Sequence, residues 1–225
     1  MKKVLFLLMI PVLCFGQYTS IPDQNFEKAL IDFGYDDVID GKVLTANINS
    51  VDSLNLIYKN ISDLTGIEDF TALSFLNCSS NQLTNLDVSQ NTALTGLYCD
   101  DNQLTNLDIT KNTALTGFSC YKNKLNNLDV SKNTALTKLS CSTNKLTSLD
   151  VSQNIHLIYY LSCGENKLTN LDVSQNTALT RLYCDDNQLT NLDVSKNTAL
   201  IALGCGNNKF DCDSLIAKFG LNYEY

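Results

Sequence analysis

Two stretches of this chain place a thiol beside two carboxylates. Residues 97–115 read LYCDDNQLTNLDITKNTAL, and residues 182–200 read LYCDDNQLTNLDVSKNTAL. Cys99, Asp100 and Asp101, echoed by Cys184, Asp185 and Asp186, combine soft and hard donors that could ligate a metal, or a nucleophile with acid–base groups beside it. Either chemistry needs the three side chains of a set to converge on one point, and that depends on the element that carries them.

The carrier is a tandem repeat. Cysteines stand at 78, 99, 120, 141, 163, 184 and 205, a step of 21 residues with one step of 22. An asparagine follows each cysteine three residues later, at 81, 102, 123, 144, 166, 187 and 208. Around them runs LxxLxCxxNxLxxLDVSxNxx, in seven copies beginning at Leu73, Leu94, Leu115, Leu136, Leu157, Leu179 and Leu200. This is the leucine-rich-repeat signature, in which a unit buries its apolar side only by stacking on its neighbours. Alternation in L-x-C, and again in L-D-V, is the period-two pattern of a strand with one buried face. The predicted class is an α/β-type repeat solenoid, mostly β: a parallel main sheet, short extended segments opposite it, and short helical caps.

This period pulls the opening cluster apart. Cys99 and Cys184 turn inward as small buried hydrophobes, Asp100 and Asp185 turn outward, and Asp101 and Asp186 begin a corner. Neighbouring ladder cysteines point the same way, which keeps their Cβ atoms too far apart for relaxed disulfides, so the ladder is expected as free thiols. Cys212, outside the ladder, is the one candidate for pairing, with Cys205. The asparagines are expected to satisfy backbone groups at the corner and to bond one another along the stack. Asp87, Asp108, Asp129, Asp150, Asp172 and Asp193 should form a solvated outward column, one carboxylate per coil falling short of a calcium cage. DDVIDGKVLTAN has Asp36, Asp40 and Gly41 at EF-hand positions one, five and six, but Val38 at three and Asn47 at twelve, so it is expected as a structural turn. His156 is the sole histidine and has no repeated acidic or thiol companion. No catalytic residue, metal site or cofactor is predicted.

Residues 1–16 carry Lys2 and Lys3, an apolar run from Val4 to Phe15 and a small residue, the pattern of a cleaved signal peptide. Cys14 as a lipid site is disfavoured by the bulk of Leu13. No other segment is long and apolar enough to span a bilayer. Cleavage would take Lys+Arg from 16 to 14 against 24 Asp+Glu, moving the net charge from −8 to −10. That balance excludes nucleic acid and anionic membranes as partners, since both need a basic footprint. The expected location is secreted or exported: extracellular, cell surface or periplasmic.

Residues 17–50 are predicted as an N-terminal helical cap. In IPDQNFEKALIDFG the helix starts at Pro22–Asp23, presents Phe26, Ala29, Leu30 and Phe33 as its apolar face, and stops at Gly34. Residues 51–210 form the solenoid of about eight coils, the first an atypical one over VDSLNLIYKNISDLTGIEDFTAL. Residues 211–225 form a C-terminal cap with a short helix in FDCDSLIAKFG.

With these motifs the chain resembles secreted bacterial leucine-rich-repeat proteins whose 21-residue units follow an IPDxNFExAL cap. Its SDLTGIEDFTAL resembles the internalin-type repeat. The resemblance implies a surface or secreted recognition module. Many such proteins carry a C-terminal sorting domain; residues up to Tyr225 show none, so anchoring by one is not expected.

The two outward faces differ. One repeats Asn-Asp-Ser almost unchanged; the other, on the main sheet, varies from coil to coil. There the residues Phe75, Tyr98, Asp100, Tyr121, Lys138, Tyr160, Arg181, Tyr183 and Asp185 are the predicted partner-binding set, rich in types favoured at binding hot spots. The expected function is a non-enzymatic, monomeric module that binds a protein or peptide. The alternatives are glycan or cell-surface polymer binding in adhesion, and calcium-assisted binding by the Asn-Asp-Ser face.

Overall fold

The computed structural model describes residues 16–223, so the predicted signal peptide, Gly16 apart, lies outside the described residues. The chain opens with β1 (Tyr18–Ser20), α1 (Gln24–Asp32), β2 (Lys42–Leu44) and α2 (Thr45–Ile48). Eight three-residue strands follow, one per coil: β3 (Ser53–Asn55), β4 (Phe75–Asn77), β5 (Gly96–Tyr98), β6 (Gly117–Ser119), β7 (Lys138–Ser140), β8 (Tyr160–Ser162), β9 (Arg181–Tyr183) and β10 (Ala202–Gly204). After them come α3 (Cys212–Phe219) and β11 (Asn222–Tyr223). The main sheet runs β3 to β11 in chain order, and its neighbours pair parallel.

The register explains the repeat. Leu54, Leu76, Leu97, Phe118, Leu139, Leu161, Leu182 and Leu203 pair in one row, each fully buried or nearly so. Each buried leucine contributes about 2 kcal/mol relative to exposure. Opposite the sheet the L-D-V segments form no strand ladder among the described residues. Two turns then close each coil, as in Asn91 N–H to Val88 O (3.0 Å) and Leu94 N–H to Asn91 O (3.1 Å).

Two asparagine ladders satisfy the corners. Asn123 Nδ2 donates to Cys99 O (2.9 Å) and Cys120 O (3.2 Å), while its Oδ1 accepts Leu104 N–H (3.0 Å). The ladder therefore bonds backbone of its own and the preceding coil rather than one asparagine side chain to the next, because the carbonyls of the cysteines lie within closer reach. In the second ladder, Asn133 Nδ2 donates to Ile109 O and Asn112 O, both at 2.9 Å. Its Oδ1 is buried without a donor, as are those of Asn91, Asn112, Asn154, Asn176 and Asn197.

The residue before each first-ladder asparagine has left-handed backbone: Ser80, Asp101, Lys122, Thr143, Glu165, Asp186 and Asn207 have φ of 55, 49, 55, 54, 49, 52 and 52°. The corner thus turns on L-residues outside the region they prefer.

Both ends are covered. Asp23 caps α1 through Asn25 and Phe26 N–H, and its other oxygen accepts Ser62 and Asp63 N–H from the first coil. Glu27 is fully buried, and its Oε1 accepts N–H groups of Asp40, Gly41 and Lys42 at 2.7–3.0 Å. A carboxylate thus holds the DDVIDG turn from inside. Phe26, Ala29 and Leu30 are buried as predicted, but Phe33 is 40% exposed at the helix end, against Tyr35 and Lys59. The helix stops there, so Phe33 falls off the apolar stripe. At the far end Asp211 caps α3, a disulfide joins Cys205 to Cys212, and β11 covers the edge of β10. The other six ladder cysteines are free and buried.

Candidate functional site

The outward residues of the main sheet stand in two rows. Pairing aligns Phe75, Gly96, Gly117, Lys138 and Tyr160 in one row, and Asn77, Tyr98, Ser119, Ser140, Ser162, Tyr183 and Gly204 in the other. A rigid sheet holds them with little ordering cost on binding.

In the N-terminal half the side chains close over two glycines. A Cβ on Gly96 would lie 2.9 Å from Phe75 Cδ2, and one on Gly117 would lie 2.6 Å from Lys138 Cε and 3.0 Å from Tyr98 Oη. The Phe75 and Tyr98 rings are 5.5 Å apart, and Lys138 Nζ lies 5.7 Å from the Tyr98 ring centre. The bond to Tyr98 pushes the Lys138 ammonium up. Tyr160 is half-buried nearby; burial raises its phenol while Lys138 opposes the rise. Phe75, Tyr98, Lys138 and Tyr160 are therefore one aromatic–cation cluster.

Asp100 is tied into the sheet. Its Oδ1 accepts the Ser119 hydroxyl and Tyr121 N–H, the latter at 2.8 Å. Burial pushes its carboxyl up, and these donors offset that only in part. Tyr121 itself is 42% exposed. Asp101 turns the corner and pairs with Lys122 at 2.9 Å. Cys99, Asp100 and Asp101 thus face three different ways and share no reacting point.

The C-terminal half is open. Arg181 is exposed on β9, while Tyr183 and Asp185 are half-buried. A cavity of about 440 Å³ lies against Tyr183 and Asp185, with Ser142, Ser162, Gly164, Glu165, Asp186, Gly206 and Asn207 completing its lining. Sequence reasoning found Tyr183 and Asp185 there but missed the other residues. Glycine at 164 and 206 was the available signal.

A second omission lies on the edge where each coil enters the sheet. The fifth coil replaces NTALT with NIHLIY, leaving Ile155, Ile158 and Tyr159 exposed by 52, 40 and 59%. His156 is exposed beside them.

The Asn-Asp-Ser face is regular. Asp129 Oδ1 accepts Ser131 N–H at 2.9 Å, and the same bond recurs in Asp87, Asp108, Asp150, Asp172 and Asp193. Among the described residues no group of three His, Cys, Asp or Glu side chains is placed to hold a metal ion, and no helix is long and apolar enough to cross a membrane.

This geometry recurs in solved structures. The functional domain of InlJ from Listeria monocytogenes, described as including a cysteine ladder, matches with a TM-score of 0.82 and 42% identity, over 93% of this chain and 47% of that one. The chain is an internalin-like leucine-rich-repeat protein. Internalin C2 of the same organism shares the fold at a TM-score of 0.81 and 20% identity, covering 92% of this chain and 98% of its own. A leucine-rich-repeat protein of Leptospira interrogans matches at 0.69 and 25% identity, over 80% of this chain and 50% of that one. No family model and no curated protein matches. The internalin-like chain spans about half the length of the InlJ structure.

Proposed function

We propose that this internalin-like chain is a secreted or exported, non-enzymatic recognition module that binds a protein or peptide through its main-sheet face. The observation that carries this reading is the contrast between faces. The Asn-Asp-Ser side repeats one hydrogen-bonded motif, whereas the main sheet concentrates Tyr98, Lys138, Tyr160, Arg181 and Tyr183 on one rigid surface beside an open cavity. Large aromatic and cationic side chains held in place supply binding energy at low entropic cost. The test is a pull-down from the surfaces or fluids the organism meets, comparing the wild type with a Tyr98, Tyr121, Tyr160 and Tyr183 quadruple alanine variant. Loss of specific captures in the variant supports the reading; identical capture lists sink it.

Glycan binding is a second reading, favoured by Tyr121 standing 42% exposed where a sugar ring could stack on it. A glycan array probed with the wild type and Tyr121→Ala separates the two.

A further inference from the structure

The chain contains its own control experiment. Residues 97–108 and 182–193 are identical, so Asp100 and Asp185 have the same local sequence, although the strand before Asp100 begins at Gly96 and the strand before Asp185 at Arg181. The coil that follows differs as well. Pairing sets Ser119 beside Tyr98 but Gly204 beside Tyr183. At the next outward position the first copy has Tyr121 and the second has Gly206. Asp100 accordingly takes the Ser119 hydroxyl as well as a backbone N–H. Asp185 keeps the equivalent backbone bond, Gly206 N–H to Oδ1 at 2.9 Å, but a glycine at 204 has no hydroxyl to offer.

Gly206, where the first copy has Tyr121, lines the cavity. Gly164 widens it from the other side: a Cβ there would lie 3.2 Å from Asp185 O. Glu165, Asp185 and Asp186 bring three carboxylates to the lining, Tyr183 adds an aromatic surface, and the lining contains no Lys or Arg. Ser142 and Ser162, bonded to each other at 2.8 Å, add hydroxyls.

We infer that this cavity receives the guanidinium of an arginine on the bound protein or peptide. Charge complementarity selects a cation. Carboxylates beside an aromatic ring favour the planar, forked guanidinium over ammonium, because it can donate two parallel bonds and stack at once. The inference rests on the main-sheet recognition role and states what part of a partner that face reads.

The test titrates the full chain with a blocked Gly-Gly-Arg-Gly-Gly peptide, with citrulline and lysine versions as probes, following amide shifts by NMR. The arginine peptide should perturb Gly164, Tyr183 and Gly206, and the neutral citrulline peptide should bind about tenfold more weakly or worse. Asp185→Asn should weaken arginine binding by a similar factor. The double variant Gly204→Ser with Gly206→Tyr, which copies residues the sheet already holds at 119 and 121, should abolish it. Equal binding of the citrulline peptide overturns the inference. So do shifts confined to other surfaces, an unchanged affinity in Asp185→Asn, or no binding up to about 10 mM. A partner lost in the quadruple tyrosine variant but retained by Asp185→Asn would overturn the arginine cavity and leave main-sheet recognition standing. Arginine-peptide binding at the cavity together with identical pull-down lists would do the reverse.

Discussion

Cys205 and Cys212 are joined by a disulfide across seven residues, with their Cα atoms 5.6 Å apart, while Cys184, one coil earlier in the same ladder, is a buried free thiol. The last rung can pair because its partner comes from the cap helix rather than from the next coil. Closing this short loop is worth about 2.5 kcal/mol on chain-entropy grounds. Cys212→Ser should lower stability by about that much, and a reductant should do the same to the wild type but nothing further to the variant. Urea unfolding with and without dithiothreitol measures both.

The six free thiols should make the fold alkali-labile. Burial pushes Cys78 and Cys141 up to about 12 and holds Cys99, Cys120, Cys163 and Cys184 well above the ordinary thiol value of 9.0. The folded pKa exceeds the unfolded one, so between about 9 and 12 the unfolded chain loses protons that the folded chain keeps. Stability from these groups is intact below pH 9 and falls as pH rises, by up to ~1.4 kcal/mol per pH unit for each thiol. A pH series of urea midpoints should show this steep loss, and replacing two rungs by alanine should flatten it. A midpoint that holds steady from pH 8 to pH 10 would contradict the buried ladder.

Thr143 is the poorest of the left-handed corner residues: it is β-branched, sits at φ 54°, and its hydroxyl is buried without a partner. Thr143→Asn should stabilise the protein by about 1 kcal/mol, since asparagine tolerates this conformation. Asn207→Thr, the reverse exchange at the equivalent site, should destabilise by a similar amount. Thermal unfolding of the pair checks the sign of each.

The two asparagine ladders should differ in cost. Asn123→Ala strands Leu104 N–H and takes one of two donors from the Cys99 and Cys120 carbonyls, which keep Asn102 and Asn144, whereas Asn133→Ala takes one of two donors from the Ile109 and Asn112 carbonyls, which keep the Asn112 and Leu115 N–H groups, and removes an oxygen that had no donor. Expected losses are about 3 kcal/mol against about 1 kcal/mol. Comparable losses in chemical unfolding would mean that the orphan oxygens carry no penalty.

Much of the architecture was legible because the repeat states it many times. Leucine and cysteine at fixed offsets recur in seven copies, and an inward position that returns every 21 residues leaves stacking as the one way to bury it. The cap was less legible. Glu27 in QNFEKAL looks like an ordinary exposed helix glutamate, and only the folded turn at Asp40–Lys42 gives its buried carboxylate three donors. Phe33 followed the helical period in sequence yet lies past the point where the helix ends.

The sequence by itself determined the solenoid, the inward row of leucines and cysteines, and the separation of Cys99 from Asp100, since all three follow from local periodicity. The tertiary structure decided how Asp100 and Asp185 differ within identical stretches: one is bonded to Ser119 and Tyr121, the other is bonded to Gly206 N–H and borders a cavity. The reason is physical. An outward side chain on a parallel sheet has its nearest neighbours about 4.8 Å away on adjacent strands, some 21 residues distant in the chain, so its surroundings are set by the next coil rather than by its own.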